Sequence, residues 1–520
     1  MNSTIVAKSA SSSGLPVQGQ PGYAGLRVTI LGMARQGMAA TRFFLAAGAI
    51  VTVSDLRSSE ELLTPRQELE RYVAELSASR TGSNGSPLRE VSLRMVLGDH
   101  PMSLLDWTDL LCLSGGVSPA IPIVQMARER GIPLTNDAQL TLSHCPTPVI
   151  GITGSAGKTT TTTLTSLILE ESGFTVHLGG NIGTPLLDRL DTIAPGDKVV
   201  MELSSFQTEL ISHSPSIAAV LNITPNHLDR HPSMSHYAAA KANVLRFQAP
   251  GDTCVLSADD EFTGPWLRNG RCRIDEGSGQ DAVYFPLQAA RLGFSLAGEV
   301  QAGAFLHGDR LIWRRPGLMD LGICKRRDVR LRGRHNLANI LAGCCLAGAA
   351  GANLAAMGRV AASFGGVEHR LEPVRQRGGV LWVNDSIATA PERTVAALRS
   401  YDQPIVLLAG GRDKHLPWDG FAAAAHGTDS DGTCHVRHVV LFGEAADLIG
   451  TALARYEHDT GARPISTTRC NELSAAVAAA ARVAEPGDVV LLSPGGTSFD
   501  AYDDFAARGR HFQALVEALP

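Results

Sequence analysis

The 520-residue chain lacks several features that mark specialised classes of protein. Its nine cysteines include no C-x-x-C pair, so neither a zinc site nor a disulfide framework is predicted, and reduced cysteines in the cytoplasm are expected. No uninterrupted apolar run reaches the roughly 20 residues of a membrane-spanning helix. The formal net charge of −5 leaves no basic excess for nucleic acid. We therefore expect a cytoplasmic globular protein with neither a membrane nor a nucleic-acid partner.

The chain is long enough for two to four domains of ordinary size, about 150 residues each. Residues 1–24 are rich in Ser, Gly, Gln and Pro and lack the apolar core of a signal peptide, so a disordered tail is expected. Prolines near residue 146 and a Gly-Gly pair at residues 365–366 indicate two boundaries. They predict α/β domains over residues 25–146, 147–366 and 367–520.

The glycine-rich segment GITGSAGKTT, residues 151–160, is the most informative part of the sequence. A predicted strand over residues 148–150 precedes it and a predicted helix over residues 161–172 follows it, which is the setting that a P-loop needs. The N–H groups of such a loop hold a phosphate chain, and the helix N-terminus favours the anion. Lys158 would reach the β- and γ-phosphates, and the Thr159 hydroxyl a Mg²⁺ ion. The alternative is a glycine-rich loop with an incidental lysine.

A βαβ unit is predicted over residues 26–55, with a turn at Gly32 and Asp55 at the end of the second strand. This arrangement favours a nucleotide-phosphate site, and a βαβ unit without a ligand is the alternative. The G-x-G-x-x-G fingerprint is broken because Ala34 replaces its middle glycine, which counts against a dinucleotide oxidoreductase. The strand that begins at residue 110 also runs into a small-residue turn, either a ligand loop or only a tight turn.

Polar side chains lie near the ends of two strands predicted for the central domain. Glu202 lies in the predicted strand 198–205, where a carboxylate beside a P-loop would hold Mg²⁺ or its water; surface exposure is the alternative. His227 follows the predicted strand 217–224 and suits a metal or phosphate contact, although a loop histidine usually faces solvent. Lys241, on a predicted helix, reads from the sequence alone as an ordinary surface charge.

The last part of the chain repeats a design in which a strand runs into a polar or glycine-rich loop. The predicted strands cover residues 380–386, 404–411 and 489–496. Because open α/β sheets bind ligands at the carboxyl ends of their strands, a third α/β domain with ligand loops is expected. Residues 333–339 open an apolar helix with polar groups that suit contacts to a nucleotide base or ribose.

Together these motifs resemble the Mur ligase family of peptidoglycan synthesis. The motifs that carry the resemblance follow in the expected order at residues 153–160, 202–207, 222–230, 333–336, 369–370 and 384–386. Residues 492–494, 498–500 and Phe505 resemble in particular the branch that adds glutamate to UDP-N-acetylmuramoyl-L-alanine. The resemblance implies a Rossmann-like UDP-binding domain, a central P-loop ATPase domain with a mainly parallel sheet, and a Rossmann-like C-terminal domain that closes over the site.

The implied reaction is an ATP-dependent amide ligation. ATP phosphorylates the carboxylate of UDP-N-acetylmuramoyl-L-alanine, the amine of D-glutamate attacks the acyl phosphate, and phosphate leaves. Both steps concentrate negative charge, so the site must supply cations and oriented N–H groups. The implied role is cytoplasmic peptidoglycan precursor synthesis, and so cell-wall biogenesis, cell shape and cell division. A monomer with only small-molecule partners is expected.

The resemblance also implies roles for individual residues. ATP would be held by Gly154, Ser155, Ala156, Gly157, Lys158, Thr159, Thr160, Asn339, Arg370 and Asp385. The UDP substrate would contact Arg35, Gln36, Asp55, Gly116 and Asn181. The incoming glutamate would be surrounded by Thr389, Lys414, Ser498, Phe499 and Phe505. The implied catalytic residues are Lys158, Glu202, His227 and Lys241. Thr159 and Glu202 would bind one Mg²⁺ ion. His227 would bind a second Mg²⁺ ion with the help of Lys241, which matches a lysine that is carbamylated in the family.

Three alternatives to this function stay open. Ile387 stands where the usual D-glutamate enzyme has a lysine, so the same ligation with L-glutamate is one alternative; Arg393 and Arg412 are near in sequence and would supply a cation. A glutamate ligase like folylpolyglutamate synthase is the second, but it would lack a UDP domain such as residues 25–146. A P-loop NTPase without ligase activity is the third, and it would hydrolyse ATP with no amino acid present.

Overall fold

A computed structural model describes residues 22–79, 91–225, 231, 233–274, 283–331, 333–414, 416–428 and 436–520. The chain divides into two compact units, Met1–Phe364 and Gly365–Pro520. The first unit contains two large sheets and the second contains one. The α/β class with mainly parallel sheets, predicted from the sequence, is confirmed. The finer division of the first unit at residue 146 stays a prediction.

The first sheet is built from five parallel strands. They are β1 (Arg27–Leu31), β2 (Ile50–Asp55), β3 (Ser92–Leu97), β4 (Leu110–Leu113) and β5 (Leu134–Asn136). The helices of this region are α1 (Arg35–Ala46), α2 (Leu63–Ser79), α3 (Pro122–Glu129) and α4 (Asp137–His144), with a 3-10 helix at Met102–Trp107. The order β3-β2-β1-β4-β5 reverses between β1 and β4, which is where open α/β sheets form a ligand crevice.

The second sheet has nine strands and carries the P-loop. Its strands are β6 (Val149–Thr153), β7 (Val176–Gly180), β8 (Lys198–Glu202), β9 (Ile217–Val220), β10 (Thr253–Ser257), β13 (Ala290–Ser295), β14 (Gly303–His307), β15 (Arg310–Arg314) and β16 (Leu321–Lys325). A separate antiparallel ribbon pairs β11 (Arg271–Ile274) with β12 (Val283–Pro286). The order is β16-β15-β14-β13-β10-β9-β6-β8-β7, parallel from β14 to β7. Its central strands are almost wholly apolar and buried, as a parallel sheet covered on both faces requires.

In the described residues, six α-helices accompany the second sheet. They are α5 (Lys158–Glu171), α6 (Ser205–Glu209), α7 (Met234–Arg246), α8 (Thr263–Asn269), α9 (Arg334–Ala349) and α10 (Leu354–Ser363), with 3-10 helices at Leu186–Thr192 and Arg326–Asp328. Helices α5 and α9 pack closely, since a Cβ at Gly343 would lie 3.2 Å from Leu164 Cβ. The strand predicted over residues 198–205 ends at Glu202, because Ser204 caps α6 and exchanges hydrogen bonds with Gln207.

The two sheets of the first unit share one apolar core. A single buried cluster runs from Ile30 and Phe44 beside the first sheet to Val220 and Tyr237 beside the second. The Arg42 guanidinium of α1 also pairs with Asp188, with nitrogen–oxygen distances of 2.9 and 2.7 Å. These contacts hold the carboxyl edge of the first sheet in a fixed place relative to the P-loop.

The described part of the second unit forms a six-stranded sheet with five α-helices. Its strands are β17 (Glu372–Arg377), β18 (Val380–Asn384), β19 (Ile405–Gly410), β20 (Val436–Phe442), β21 (Ser466–Arg469) and β22 (Val489–Gly495). Its helices are α11 (Pro391–Leu398), α12 (Asp419–Ala425), α13 (Ala446–Thr460), α14 (Leu473–Val483) and α15 (Phe505–Glu517). The order β17-β18-β22-β19-β20-β21 makes β18, β22 and β19 neighbours, so the loops at their carboxyl ends lie together.

Within the described ranges, none of the helices has both the length and the apolar character that crossing a bilayer demands. Eight cysteines lie in the same ranges, and all eight are free thiols.

Candidate functional site

The P-loop connects β6 to α5, and its glycines are required by its backbone. Gly154 has φ +156° and Gly157 has φ +80°, values that side chains other than glycine rarely adopt. A Cβ at Gly157 would also overlap Asn339 Oδ1. The helix begins at Lys158 rather than at the predicted residue 161, since the chain enters the helical conformation directly after the left-handed Gly157. Lys158, Thr159 and Thr160 therefore form the first helical turn, with their N–H groups at its open end.

Asn222 braces the loop, a role that sequence reasoning missed although the residue lies in a recognised motif. Its Oδ1 accepts a hydrogen bond from Ala156 N at 2.8 Å, and its Nδ2 donates to Ala156 O at 3.1 Å. Ser155 N donates to Asn222 O at 2.9 Å. Asn222 lies two residues after the end of β9, the sheet neighbour of β6, and this position was the available signal. The bracing fixes the concave backbone before any ligand binds.

Two lysine ammonium groups meet at one backbone carbonyl of the loop. Lys158 Nζ and Lys241 Nζ each donate to Gly154 O at 2.9 Å. Lys241 is only 1% exposed, and its Nζ lies 4.5 Å from the centroid of the Tyr237 ring. Burial, together with the charge of Lys158, holds the pKa of Lys241 well below its usual value. The surface position suggested for Lys241 by the sequence alone is wrong, because α7 packs against the sheet with this residue toward the loop.

Glu202 is 2% exposed, which excludes its alternative surface position, and its charge acts on the pKa of Lys241. Its Oε2 accepts a hydrogen bond from Thr159 Oγ1 at 2.8 Å, and its Oε1 accepts one from Asn181 Nδ2 at 3.0 Å. A carboxylate and a hydroxyl are the hard oxygen donors that Mg²⁺ prefers. These residues fit a metal bound next to the phosphate loop.

His227, predicted as a ligand of a second metal ion, lies outside the described residues. Within the ranges that the structure covers, no group of three or more His, Cys, Asp and Glu side chains is arranged for a metal ion. His231, four residues further on, is described: its Nε2 lies 2.9 Å from Ser205 Oγ and its ring stacks on Phe206. His231 therefore lies at the start of α6.

Asn339 reaches the P-loop from α9. Its side chain is 7% exposed and lies directly over Gly157. Its Oδ1 accepts a hydrogen bond from Thr161 Oγ1 at 3.4 Å, and its Nδ2 donates to Asn336 Oδ1 at 3.1 Å. The structure thus brings together the P-loop and the polar start of α9, which are about 180 residues apart in the sequence.

The residues predicted for the UDP end gather at the carboxyl edge of the first sheet. Gln36 lies against the turn after β4, since a Cβ at Gly115 would be 3.4 Å from its Cδ; the adjacent Gly116 faces open space. Arg35 Nη1 donates to Gly183 O at 2.8 Å, which links this edge to the loop that carries Asn181.

Asp55 is held by a residue that sequence reasoning did not single out. Arg57 pairs with Asp55 through its Nε at 3.0 Å and its Nη2 at 2.9 Å, and Met33 N donates to Asp55 Oδ2 at 2.7 Å. Burial raises the pKa of Asp55, but these hydrogen bonds outweigh it and lower the pKa to about 2. The ionised carboxylate therefore fixes the turn after β1.

In the second unit, Asp385 lies at the end of β18 and is 4% exposed. It accepts hydrogen bonds from Ser493 Oγ at 2.8 Å and from Leu371 N at 3.2 Å. Burial raises its pKa to about 7 against the effect of the Ser493 bond. Arg370, also predicted for ATP, is flanked by His369 and Leu371, whose φ values of 62° and 44° are strained for side chains other than glycine.

Four of the residues predicted for glutamate, Thr389, Lys414, Ser498 and Phe499, lie on loops that follow strands of the same sheet, and Phe505 is the first residue of α15. Lys414 Nζ donates to Thr389 Oγ1 at 3.2 Å, and desolvation with the charge of Arg393 lowers the Lys414 pKa. Ser498 is buried and the carbonyl of Phe505 accepts a hydrogen bond from Ser386 Oγ at 2.7 Å. The Phe499 side chain, next to Ser498, is 61% exposed.

Comparison with known proteins matches this architecture to one family. Residues 152–347 match the Mur ligase middle domain, and residues 369–496 match the Mur ligase, glutamate ligase domain. The UDP-N-acetylmuramoylalanine–D-glutamate ligase of Symbiobacterium thermophilum is 40% identical over 493 residues, which cover 95% of this chain and 98% of that protein. The chain belongs to the Mur ligase family. As a Mur ligase it is an ATP-dependent ligase, in agreement with the P-loop and with the resemblance seen in the sequence.

Further relatives also match 95% of this Mur ligase. The UDP-N-acetylmuramoylalanine–D-glutamate ligase of Clostridium novyi is 32% identical over 492 residues, 95% of this chain and 96% of that protein. Among solved structures, the UDP-N-acetylmuramate–alanine ligase MurC of Thermotoga maritima is similar, with a TM-score of 0.48, 17% identity, and coverage of 95% of this chain and 99% of that one.

Proposed function

We propose that this Mur ligase joins D-glutamate to UDP-N-acetylmuramoyl-L-alanine with ATP, during peptidoglycan precursor synthesis in the cytoplasm. The observation that carries the chemistry is the pair of lysine ammonium groups at Gly154 O, beside the Thr159–Glu202 contact. The substrates are supported by the two D-glutamate ligases that match 95% of the chain. We assign residues 25–146 to the UDP substrate, 147–366 to ATP and 367–520 to glutamate, and a monomer as the working form.

The reaction has two steps with balanced charge and atoms. The alanine carboxylate of the UDP substrate attacks the γ-phosphorus of ATP, and ADP leaves. The glutamate amine then attacks the acyl carbonyl, a proton is lost from nitrogen, and phosphate leaves. Negative charge gathers on the transferring phosphoryl group in the first step and on the tetrahedral oxygen in the second. Lys158 and the amides of the first turn of α5 provide positive charge and oriented donors for it.

The donor set supports Mg²⁺ at the P-loop. Thr159 and Glu202 would hold one ion, and His227 is proposed for a second. When bound, Mg²⁺ neutralises phosphate charge and polarises the transferring group. The Thr159 hydroxyl and the Asn181 amide orient the two oxygens of Glu202.

The surroundings of Lys241 favour its conversion to a carbamate. Only a neutral amine adds CO₂, and the lowered pKa increases the neutral fraction. The ammonium first loses one proton, and addition of CO₂ to the neutral amine then forms an N–C bond and releases a second, so the side-chain charge changes from +1 to −1 overall. The change removes the repulsion between Lys241 and Lys158 and supplies oxygen donors near the phosphate loop. The carbamate is thus proposed on burial, charge and position together.

The glutamate site is proposed on the loops of the second unit, with Thr389, Lys414, Ser498, Phe499 and Phe505; Arg370 and Asp385 are proposed for ATP. Ile387 leaves the site without the usual lysine, and we favour Arg393 over Arg412 as the cation that replaces it. Both Arg412 Nε and Nη2 are paired with Glu444, at 2.8 and 3.0 Å. Arg393 is exposed, and its Nη1 reaches the Ile387 carbonyl at 3.4 Å. Its charge also acts on the pKa of both Lys414 and Asp385.

We therefore expect Arg393→Met to raise the KM for D-glutamate about tenfold, which corresponds to about 1.4 kcal/mol of lost binding. Arg412→Met is the matched control and should change this KM by less than about twofold, since its exposed pair with Glu444 contributes little. Steady-state kinetics with saturating ATP and UDP substrate give both values. Equal KM values for the two variants would remove Arg393 from the glutamate site.

The stereochemistry of the amino acid is tested by kcat/KM for the two enantiomers under the same conditions. We expect D-glutamate to exceed L-glutamate by about tenfold or more, since buried polar contacts to two carboxylates and an amine discriminate by a few kcal/mol. Mass spectrometry of the product should show one added glutamate residue. A kcat/KM more than about tenfold higher for L-glutamate, about 1.4 kcal/mol at the transition state, would identify the L-specific alternative.

A further inference from the structure

Arg508 is a fully buried cation at the carboxyl edge of the second unit. It lies in the first turn of α15 and is 0% exposed. Its guanidinium forms no ion pair with a carboxylate of the described residues; its hydrogen-bond acceptors are all neutral. Burial lowers its pKa to about 10, although the charge of Asp500 opposes this. A buried charge without a counter-ion is costly, so its retention needs a reason.

The five N–H···O contacts of Arg508 join two loops. Nε donates to Ser386 Oγ at 3.0 Å and Nη2 to Ser386 O at 2.9 Å, in the loop after β18. In the loop after β22, Nη1 donates to Thr497 O at 3.0 Å, and Nη1 and Nη2 each donate to Gly496 O at 3.2 Å. The planar fork of arginine makes this set possible, and a lysine ammonium has neither the shape nor the number of donors.

A third loop, after β19, packs against the Arg508 guanidinium. Gly411 has φ +92°, and a Cβ there would lie 2.8 Å from Arg508 Nη1 and would overlap Thr497 O. Arg412 N donates to Thr497 O at 2.9 Å, and Thr497 N donates to Arg412 O at 2.8 Å. Glycine at residue 411 therefore lets this loop approach the guanidinium, and backbone bonds fix it to the loop after β22.

Each of the three loops carries a residue assigned to the incoming amino acid. Thr389 follows β18, Lys414 follows β19 and Ser498 follows β22. The charge of Arg508 also reaches Lys414, whose pKa it lowers. We propose that Arg508 is a positioning residue that sets the three loops for an anionic amino acid and makes their common edge positive. The inference rests on the proposed function, since glutamate supplies the negative charge that Arg508 lacks.

The test compares Arg508→Lys, which keeps the charge but not the fork, with Arg510→Met, an exposed arginine of the same helix, in the full chain. We expect Arg508→Lys to raise the KM for D-glutamate about tenfold or more. The KM for the UDP substrate should stay within about threefold, and Arg510→Met should match the parent. The first half-reaction is measured without glutamate, with hydroxylamine as the probe. Hydroxylamine attacks the acyl phosphate and releases phosphate and a hydroxamate, and its rate in Arg508→Lys should also stay within about threefold.

A glutamate KM unchanged in folded Arg508→Lys would overturn the inference. So would equal rises in all KM values together with a lowered Tm, which indicate a purely structural role. If Arg508→Lys fails to fold, the test uses Ser386→Ala, which removes the hydroxyl that accepts a hydrogen bond from Arg508 Nε. A glutamate KM raised about threefold or more in this variant supports the inference, and an unchanged KM overturns it. Failure of the proposed function is distinct, since the parent enzyme would then form no hydroxamate.

Discussion

Lys158→Ala is expected to lower kcat for ligation about 100-fold or more while the fold stays intact. Lys158 stands at the first position of α5, where its ammonium lies beside the concave loop backbone. The transferring phosphoryl group carries its charge at this place, and loss of one preorganised donor there costs about 10²- to 10³-fold. Lys158 is half-buried, and its ammonium donates to the backbone carbonyls of Gly154 and Ser155 at 2.9 and 3.3 Å.

Lys325→Ala is the control for Lys158→Ala, since Lys325 lies on the edge strand β16 of the same sheet. Thermal unfolding of both variants should be close to that of the parent protein. A drop in turnover well below tenfold for Lys158→Ala, with the Lys325→Ala variant unaffected, would exclude the P-loop assignment. A loss of activity shared by both variants would indicate a general effect on the sheet.

Lys241→Ala is expected to lose about 100-fold or more of the parent turnover, since its carbamate would supply oxygens beside the transferring phosphoryl group. The buried position leaves a cavity in the variant, next to Gly154 O and the Tyr237 ring. Acetate is a small carboxylate, so it can supply oxygens like those of the missing Lys241 carbamate. We therefore expect acetate to restore part of the activity of Lys241→Ala, and added bicarbonate to raise or sustain that of the parent.

The matched comparison for Lys241→Ala is Lys158→Ala under the same acetate. Lys158 acts as a cation, so an added anion should not rescue its loss. Rescue of Lys241→Ala alone would support the carbamate, whereas equal rescue of both variants would point to a general effect of the salt. Parent-level activity of Lys241→Ala without any addition would remove this lysine from the site.

The sequence was informative where local pattern and chemistry coincide. The strand, the glycine turn and the helix of the P-loop were predicted together, because the glycines are needed by the backbone itself at Gly154 and Gly157. In the second unit, the polar and glycine-rich loops likewise indicated where three strands end. These strands, β18, β19 and β22, are neighbours in one sheet. The exact ends of the elements were predicted less well, since the helix after the P-loop starts at Lys158, three residues before the predicted residue 161.

Long-range packing decided what the sequence alone left hidden. Lys241 reads as a surface charge on a helix, and only the packing of α7 turns it toward Gly154. Arg412 and Arg393 are equivalent by sequence, but Glu444, 32 residues further on, pairs with the first and leaves the second exposed. Nothing in the sequence indicated that Arg508 is buried, because a lone arginine in a helix is normally at the surface.

The central claim is tested most directly by phosphate release from the purified full chain with ATP and Mg²⁺, with each remaining substrate omitted in turn. We predict that sustained release requires both UDP-N-acetylmuramoyl-L-alanine and D-glutamate, with one phosphate released per amide formed. Steady ATP hydrolysis without the UDP substrate or without an amino acid, and with no ligated product, would contradict the account and favour an NTPase that does not ligate.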